Sequence, residues 1–530
     1  MIPPVSRRGL LGAVGLAGAE LTLGCSSDEG SGEDGSDLPS YEYTGPPGPA
    51  DLFQHGVASG DPFPDRVILW TRVTPGADRA VRVYWEVARD PALEDRVGAG
   101  WFETDGERDH TVKVDAAGLE PGTTYYFRFR AEDRESPIGR TRTAPEGAVD
   151  RLRFGVCSCS NYAYGYFAAY RHLAGRHDLD AVLHLGDYIY EYGTGEYGTT
   201  RECEPPHEIV SLADYRMRYS QYRRDPDLQE AHRQLPWIVV WDDHEITNDS
   251  HRTSAQNHQP EEGDYEARKA AAYQAYAEWM PFREIAPGKI WREFRFGDLV
   301  DLVMLDTRIW GRDPQLPLTE LEAARAADRT LLGEDQEAWL GERLRSAGAT
   351  WKLLGQQVMM GEFWVGTGPV NMDQWDGYEA SRARFLGLLR DAAIDNVVVL
   401  TGDIHSTWAL DLPADRTAYD PDTGAGSLAV EMICTSITSP GVDDAGGALS
   451  GAVLASNPHV HAVDFDRRGY LVLDVTAERA QGAWFYVDDV TDPRAAESFG
   501  VAYSVAAGSA HLAQDDDAVS PPAKSPAAAP

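Results

Sequence analysis

Asp180-Ala-Val-Leu-His-Leu-Gly-Asp-Tyr-Ile-Tyr190 is the stretch that decides the fold, because a short apolar run ends directly in the pair Gly186-Asp187. A continuous apolar run of this length, bounded by a turn residue, is typical of a buried strand. Four other apolar runs also end in polar residues, at 153–157, 237–241, 302–305 and 396–400. The sequence therefore predicts strands whose ends gather functional groups where the loops begin.

Helical spacing of apolar residues appears between these runs. The predicted helices cover residues 211–224, 264–279, 334–346 and 378–391. Strands that alternate with helices are typical of an α/β domain. We therefore assign residues 150–510 to one α/β catalytic domain.

The preceding segment has strand patterns without helical spacing. Residues 66–73 and 80–87 have alternating or buried strand patterns. Residues 118–130 form a turn followed by an alternating strand, and this stretch resembles fibronectin type III sandwiches. The sequence predicts a small all-β sandwich over residues 51–145, without chemistry of its own.

The N-terminus resembles a twin-arginine signal peptide over residues 1–25. Arg7 and Arg8 precede an apolar stretch that continues to Leu23. Cys25 lies in a sequence similar to a bacterial lipoprotein cleavage site, although Leu23 takes a position where a small residue is usual. The interpretation predicts export through the twin-arginine machinery and leaves open whether Cys25 carries a lipid anchor.

Two segments are predicted to lack a fixed fold. Residues 26–50 begin with a stretch rich in Ser, Gly, Asp and Glu and are interpreted as a flexible linker. Residues 511–530 are rich in Ala, Pro, Ser and Asp and are interpreted as a disordered tail. No later run is apolar for the ~20 residues that a membrane helix needs. We expect a protein that is extracellular, periplasmic or tethered to the cell surface.

The charge of the chain limits its partners. Its 530 residues carry 85 acidic and 48 basic side chains, for a formal net charge of -37. Such a surface repels nucleic-acid phosphates and anionic lipids, so specific nucleic-acid binding is not expected. An enzyme for anionic esters would need cations to reverse the field locally, and bound metal ions provide them compactly.

Four of the predicted strands end in clusters of thiol, carboxylate or imidazole groups. Taken singly, an Asp after Gly is usually a turn or cap residue, and a buried Cys is usually part of the packing. Several such clusters on one edge of a sheet are how two-metal sites are assembled, and we favour that interpretation. The clusters are Cys157-Ser-Cys-Ser-Asn161, Gly186-Asp-Tyr-Ile-Tyr190, Asp242-Asp-His-Glu245 and Gly402-Asp-Ile-His405.

The order of these clusters resembles the calcineurin-like metallophosphoesterases, whose blocks are Gly-Asp, Asn-His-Glu and Gly-His-x-His. Asp243 replaces the Asn, Asp403 replaces the first His, and Cys159 lies where an opening Asp-x-His block is expected. These departures are shared by PhoD-like alkaline phosphatases and phosphodiesterases, which the chain resembles over nearly its whole mature length. Further matching stretches are His55-Gly-Val-Ala-Ser-Gly-Asp-Pro62, Gly186-Asp-Tyr-Ile-Tyr-Glu-Tyr192 and Asp373-Gln-Trp-Asp-Gly-Tyr378.

The resemblance implies a calcineurin-like β-sandwich core flanked by helices, and two kinds of metal ion. A thiolate and a phenolate suit trivalent iron, whereas carboxylate oxygens favour calcium. A second calcium is known in the family, but the sequence does not locate its ligands. The implied ligands are Cys159, Asp187, Tyr190 and His405 for Fe³⁺, and Asp187, Asp243 and Asp403 for Ca²⁺, with Asp187 bridging.

The resemblance also implies hydrolysis of phosphate esters by a metal-activated hydroxide. His244 is similar to the family histidine that contacts the substrate phosphate or assists proton transfer; the alternative is a hydrogen-bonding partner of a ligand. Asn161 is a candidate donor to the phosphate. Arg308 is a weaker candidate, because Asp306 and Arg308 could form a structural ion pair.

Three alternatives remain open from the sequence. A phospholipase-type phosphodiesterase of the same family would use the same ligands. Purple acid phosphatase chemistry also uses an iron–tyrosinate, but Cys159 and Asp403 argue against it. A calcium-stabilised surface binding protein on an inactive scaffold is the third alternative. Retention of every expected ligand argues against the third.

Overall fold

Two large β-sheets pack face to face and carry helices on their outer faces. The computed structural model describes residues 38–366 and 368–530. The predicted signal peptide (1–25), with Cys25, and residues 26–37 of the predicted linker lie outside the described residues. None of the helices within the described ranges is long and apolar enough to cross a bilayer.

The strands in the first part of the chain are short and mostly antiparallel. They are β1 (Val57–Phe63), β2 (Arg66–Arg72), β3 (Val81–Ala88), β4 (Arg96–Thr104), β5 (Thr111–Ala117), β6 (Thr124–Ala131), β7 (Arg134–Glu135) and β8 (Gly139–Arg142). The predicted strands of this segment are among them. The all-β prediction for this segment is confirmed.

Strands and helices alternate in the second part. The strands are β9 (Arg151–Cys157), β10 (Ala181–His184), β11 (Pro236–Val239), β12 (Arg292–Phe296), β13 (Val300–Met304), β14 (Trp351–Gln356), β15 (Trp364–Val365), β16 (Gly368–Pro369), β17 (Val397–Thr401), β18 (Thr407–Pro413), β19 (Ser427–Ile433), β20 (Val460–Asp464), β21 (Arg468–Thr476), β22 (Arg479–Val487), β23 (Glu497–Ala506) and β24 (Ala513–Asp515).

The α-helices include all four that the apolar spacing predicts, with end points shifted by at most two residues. A capping box at Ser211, whose hydroxyl accepts from the Asp214 N–H while the Asp214 carboxylate accepts from the Ser211 N–H, fixes the start of the second. The helices are α1 (Ala168–Ala174), α2 (Leu212–Tyr222), α3 (Pro226–Gln234), α4 (Tyr265–Trp279), α5 (Leu321–Ala324), α6 (Gly333–Ser346), α7 (Glu379–Asp391) and α8 (Ala448–Ser456).

The two large sheets enclose one apolar core. The first has the order β24-β23-β22-β21-β9-β10-β11-β1-β2-β5, and the second β12-β13-β14-β17-β19-β18-β20. Val156 and Leu183 from the first sheet share a buried cluster with Leu302, Leu353 and Met432 from the second. Each fully buried side chain of this kind contributes about 1.5–3 kcal/mol, so this layer is a main source of stability. The predicted sandwich core flanked by helices is confirmed.

The N-terminal sandwich shares a β-sheet with the catalytic part. Strands β1, β2 and β5 continue the ten-stranded sheet, because β1 pairs in parallel with β11 through Ser59 and Gly60. Strands β3, β4, β6, β7 and β8 form the other layer of the sandwich. A Cβ on Gly60 would lie 2.0 Å from the carbonyl oxygen of Pro281, so only glycine fits at this junction. Local strand patterns could not reveal this pairing across the predicted boundary.

Both segments predicted to be unstructured are ordered where the structure describes them. Tyr41, in the predicted 26–50 linker, stacks on Trp101 with ring centroids 5.8 Å apart. In the predicted 511–530 tail, β24 pairs with β23, and the hydroxyl of Tyr126 donates to the carbonyl of Ala527 at 2.7 Å. The prediction of a disordered tail is wrong, because backbone hydrogen bonds hold a segment whose side chains carry no apolar pattern.

Candidate metal centre

The predicted ligands converge because the strands before them are parallel. Strands β9, β10 and β11 are parallel neighbours in the first sheet, and β13, β14 and β17 are parallel neighbours in the second. Their carboxyl ends lie along one edge, so the loops that follow them meet there. Cys159 follows β9, Asp187 follows β10, Asp243 follows β11, and Asp403 and His405 follow β17.

Four predicted ligands have an unusual backbone conformation. Cys159, Asp187, Asp403 and His405 have φ angles of +61°, +56°, +61° and +55°. Non-glycine residues rarely adopt the left-handed region, and such strain concentrates at functional sites. The fold therefore holds these four residues in a backbone conformation that non-glycine residues disfavour.

The first donor cluster contains Cys159, Asp187 and His405, whose ligand atoms all lie within 4.8 Å of one another. The fourth predicted iron ligand joins them, because the Tyr190 hydroxyl donates to Asp187 Oδ2 at 2.8 Å. The same hydroxyl lies 3.1 Å from His405 Nε2. All four side chains implied as iron ligands are thus together.

Two groups orient the first cluster. The His405 Nδ1–H donates to the carbonyl oxygen of Pro440 at 2.7 Å, which leaves Nε2 facing Tyr190 and Asp187. Histidines that bind metals are commonly oriented in this way by a backbone carbonyl. The Ser439 hydroxyl donates to the Tyr190 oxygen at 2.6 Å.

Electrostatics of the first cluster favour a bound cation. Burial, followed by the charge of Asp187, raises the pKa of the Cys159 thiol and of the Tyr190 hydroxyl well above their ordinary values. Asp187 Oδ1 is buried and has no hydrogen-bond partner among the described residues. A buried unpaired oxygen is costly, and a metal ion that accepts its lone pair and the thiolate would remove that cost. The residues therefore fit a metal site.

A second set of donors adjoins the first. Asp187, Asp243 and His244 form one group within 4.8 Å, and Asp242, Asp243 and Asp403 form another. Asp187 belongs both to the first cluster and to this set, in agreement with the bridging position implied for it. Asp242 was not among the predicted ligands, and its Oδ2 is buried without a partner among the described residues.

Arg308 lies among these carboxylates and is fully buried. Its Nη1 donates to Asp373 Oδ2 at 2.7 Å and its Nη2 to Asp403 Oδ1 at 2.5 Å, while Nε donates to Asp242. The alternative of a structural pair with Asp306 is wrong, because the Asp306 carboxylate accepts backbone N–H groups instead, that of Arg308 among them at 2.9 Å. Arg308 is therefore part of the candidate site.

One guanidinium does not balance the charge at two of these carboxylates, Asp242 and Asp403. Burial and the neighbouring carboxylates outweigh Arg308 and raise the pKa of Asp242 well above its ordinary value. Burial likewise raises the pKa of Asp403 to about 6, although Arg308 opposes it. Raised carboxylate pKa values mean that negative charge is under-compensated, and a divalent cation would supply the missing charge.

His244 is held by a residue to which the sequence analysis gave no role. Its Nδ1–H donates to Glu191 Oε2 at 2.6 Å, and its ring lies 4.3 Å from that of Tyr190. Burial lowers the pKa of His244, but Glu191 and Asp243 outweigh that effect and raise it well above 6.5. Glu191 also accepts from Thr247 and two asparagines, so its position is fixed. The imidazole is oriented at the edge of the metal centre.

Asn161 lies next to the first cluster but is already engaged. Its Nδ2 donates to the carbonyl of Tyr197 at 2.8 Å, and its Oδ1 accepts from the Tyr164 N–H at 3.2 Å. An amide nitrogen has two donor hydrogens, so one remains for a ligand. Its role as a phosphate donor stays a prediction.

Comparison with known proteins identifies the family. A family model for the PhoD-like phosphatase matches residues 154–484, and one for the PhoD-like phosphatase N-terminal domain matches residues 43–145. The chain belongs to the PhoD-like phosphatase family. It is 38% identical over 522 residues to alkaline phosphatase D of Bacillus subtilis (strain 168), across 93% of this chain and 86% of the relative. A solved structure of PhoD matches 91% of this chain and 94% of its own, with 37% identity and a TM-score of 0.81.

Membership of the PhoD-like family confirms the resemblance found in the sequence. The chain is a phosphoesterase and a homologue of an alkaline phosphatase. Its substrates are phosphate esters. The family is metal-dependent, and the clusters described above supply candidate ligand sets. This family membership favours the hydrolase over the non-catalytic binding protein.

Proposed function

We propose that this PhoD-like phosphoesterase holds Fe³⁺ in the first donor cluster and Ca²⁺ in the second. The observation that carries the proposal is the segregation of donor types. The thiol and the phenol both lie on one side of Asp187, together with the His405 imidazole. On the other side Asp187 groups with Asp243 and His244, and Asp243 groups with two further aspartates, Asp242 and Asp403. Thiolate and phenolate donors suit a trivalent iron, and several carboxylates suit calcium. The proposed ligands are Cys159, Asp187, Tyr190 and His405 for iron, and Asp187, Asp243 and Asp403 for calcium.

Asp242 and Arg308 refine the calcium half of the proposal. Asp242 offers an unpaired buried oxygen beside Asp243 and Asp403, so it is a further candidate ligand. Arg308 already binds one oxygen of Asp403, which limits the oxygens left for an ion. We propose that the guanidinium orients these carboxylates rather than replacing calcium. Its planar fork suits that task because it presents several fixed donors.

The two ions, when bound, would neutralise the phosphate oxygens and lower the pKa of the attacking water. The protein supplies orientation and proton handling. His244, fixed by Glu191, is placed to donate to the substrate phosphate or to the leaving oxygen. Asn161 provides a second donor from the loop after β9. Together these groups position an anionic ester at an edge of a strongly acidic protein.

We propose that the substrates include phosphate monoesters, diesters or both. Hydrolysis of p-nitrophenyl phosphate and of bis-p-nitrophenyl phosphate, measured on one preparation, ranks the two activities. A marked preference for the diester would favour the phospholipase-type alternative, and phospholipid vesicles would then be the next substrate. Failure to hydrolyse either compound with both metals bound would contradict the proposal.

The location of the enzyme is also a proposal. The twin-arginine pair at Arg7 and Arg8 supports export, and Cys25 supports a lipid anchor as an alternative to release. Expression with and without an Arg7→Lys, Arg8→Lys double substitution, followed by fractionation, tests export. Labelling with a fatty-acid analogue, compared between the natural chain and Cys25→Ala, tests the anchor. Unchanged export of the double variant would contradict the twin-arginine route.

The iron assignment has a matched control. Cys159→Ser removes the proposed thiolate, whereas Cys203→Ser removes a buried cysteine outside the candidate clusters. We expect the natural protein and Cys203→Ser to bind one iron and to show a visible thiolate- or phenolate-to-iron absorption. Cys159→Ser should lose iron and change that absorption. A natural protein that turns over without iron would refute the iron assignment while leaving the hydrolase intact.

A further inference from the structure

A second group of metal-binding side chains lies away from the catalytic centre. Asp411 on β18, His461 on β20 and His511 before β24 place their ligand atoms within 4.8 Å of one another. Strand β18 begins at Thr407, beside the catalytic edge, and Asp411 lies on its far half. Thr407 and Asp411 are four residue steps apart on this strand, which corresponds to about 13 Å of extended chain. The group is therefore distinct from the proposed iron and calcium sites.

One contact in this group, between His461 and Asp411, is short but lacks hydrogen-bond geometry. His461 Nε2 lies 3.1 Å from Asp411 Oδ1, yet this buried nitrogen makes no hydrogen bond within the described residues, because the carboxylate oxygen lies off its N–H direction. Two ligands of the same ion are arranged in this way, since each directs its lone pair at the ion and not at the other ligand. A tetrahedral site with bonds near 2.0 Å places neighbouring ligand atoms about 3.3 Å apart.

Neighbouring groups orient the Asp411 carboxylate as an anionic ligand. Asp411 is fully buried, and its oxygens accept from the Tyr419 hydroxyl at 2.8 Å and the Leu512 N–H at 3.0 Å. The nearest nitrogen of His511, Nδ1, lies 2.6 Å from Asp411 Oδ2. Neighbours that bond a ligating carboxylate fix its orientation and are typical of built metal sites. Binding through His511 Nδ1 would release the proton that this nitrogen shares with Asp411.

We propose that Asp411, His461 and His511 bind a divalent transition metal ion, with zinc the ion that suits the donor set best. Two neutral imidazoles and one carboxylate leave a fourth position for water or another exchangeable ligand. The side chains of His461 and His511 are 17% and 28% exposed, so an ion can enter from solvent. The net charge of -37 favours the approach of cations.

The expected role of this ion is structural. Strands β18 and β20 belong to the seven-stranded sheet, whereas His511 lies in the segment that leads into β24 of the ten-stranded sheet. A bound ion would join the two sheets where the C-terminal segment crosses between them. The unfolded chain lacks this set of ligands, so binding of the ion stabilises the folded state by the free energy of binding. Zinc should therefore raise stability without being needed for hydrolysis.

The test uses the full mature enzyme with calcium present throughout. His461→Gln and His511→Gln each remove one proposed ligand, and His207→Gln is the control because its side chain is 65% exposed and outside every candidate cluster. Zinc chloride is titrated, and bound zinc and the unfolding temperature are measured. We expect one more zinc in the natural enzyme and in His207→Gln than in the two test variants. Their zinc affinity should fall by about 100-fold or more, since even loss of a group that supports a ligand costs 10–100-fold.

A measurement on the natural enzyme keeps the proposal testable if a variant fails to fold. Crystals soaked in zinc should give an anomalous peak at the zinc edge between Asp411, His461 and His511. Hydrolysis of p-nitrophenyl phosphate should be unchanged in both test variants. Equal zinc content in all four proteins, binding only at millimolar zinc, or no anomalous peak at this position would each overturn the proposal. None of these outcomes depends on the iron and calcium assignments.

Discussion

Removal of Arg308 should make the stability of the enzyme strongly dependent on calcium. Its guanidinium contacts Asp242, Asp373 and Asp403 and has no exposure to solvent. Loss of one partner from a buried ion pair costs about 3–5 kcal/mol, because the remaining charge stays buried and unpaired. Arg308→Met leaves Asp242 and Asp403 in that condition, whereas Asp373 keeps its ion pair with Arg312. We therefore expect a loss near the upper end, about 5 kcal/mol, when calcium is chelated.

Calcium should restore much of that loss. An ion that binds only the folded state stabilises it by about 2.7 kcal/mol at 100 times its dissociation constant. In Arg308→Met the ion would replace the guanidinium as the cation beside Asp242 and Asp403, so its effect should exceed that in the natural enzyme. The assay is urea unfolding followed by tryptophan fluorescence, in EGTA and in excess calcium. The difference between the two conditions is compared for each protein.

A second buried arginine provides the matched control. Arg292 binds Asp61 through contacts of 2.9 and 2.7 Å, and both side chains are almost fully buried. Arg292→Met should lose stability of the same order, but calcium should not restore it, because neither residue lies in a metal cluster. The reasoning fails if Arg308→Met is within about 1 kcal/mol of the natural enzyme in EGTA. It also fails if calcium restores both variants equally.

Three further predictions concern single features. Glu191→Gln should lower kcat/KM by about 10–100-fold with metal content unchanged, because His244 loses its anionic acceptor; steady-state kinetics and metal analysis measure this. Gly60→Ala should destabilise the protein by about 1–3 kcal/mol or more, since the added Cβ meets the Pro281 carbonyl; urea unfolding measures the change. Deletion of residues 516–530 should lower the unfolding temperature and leave kcat unchanged, because the tail hydrogen-bonds to the fold away from the metal centre.

Each of these has a clear contrary result. Loss of metal in Glu191→Gln would mean that Glu191 maintains the metal site and does not act through His244. Natural stability in Gly60→Ala would mean that the Pro281 carbonyl moves aside at little cost. An unchanged unfolding temperature after the deletion would mean that the tail contacts contribute nothing measurable.

The ligands were predictable because each follows an apolar strand. An apolar run such as 181–185 identifies a buried strand, and parallel strands bring their following residues to one edge. Cys159, Asp187 and Asp403 could therefore be placed together from the sequence. Their left-handed backbones could not be predicted, because neither Cys nor Asp requires that conformation.

The charge pairing could not be predicted, because it joins distant parts of the chain. Asp306 is two residues from Arg308, and this proximity suggested the wrong pair. The actual partners, including Asp242 and Asp373, lie 66 and 65 residues away. Glu191 was visible within a family motif, but its contact with His244 depends on how two loops meet. In such cases the three-dimensional fold, and not the spacing along the sequence, determines which residues form the pair.

The ten-stranded sheet has a consequence for the order of synthesis. Strand β9, which leads to Cys159, lies between β10 and β21, and β21 begins at Arg468. The ribosome therefore releases nearly the whole chain before β9 gains its second neighbour. Pairings between such distant segments form late and slowly. We expect the nascent chain to expose the thiol of Cys159 until synthesis is nearly complete, so metal loading would be among the last steps of maturation.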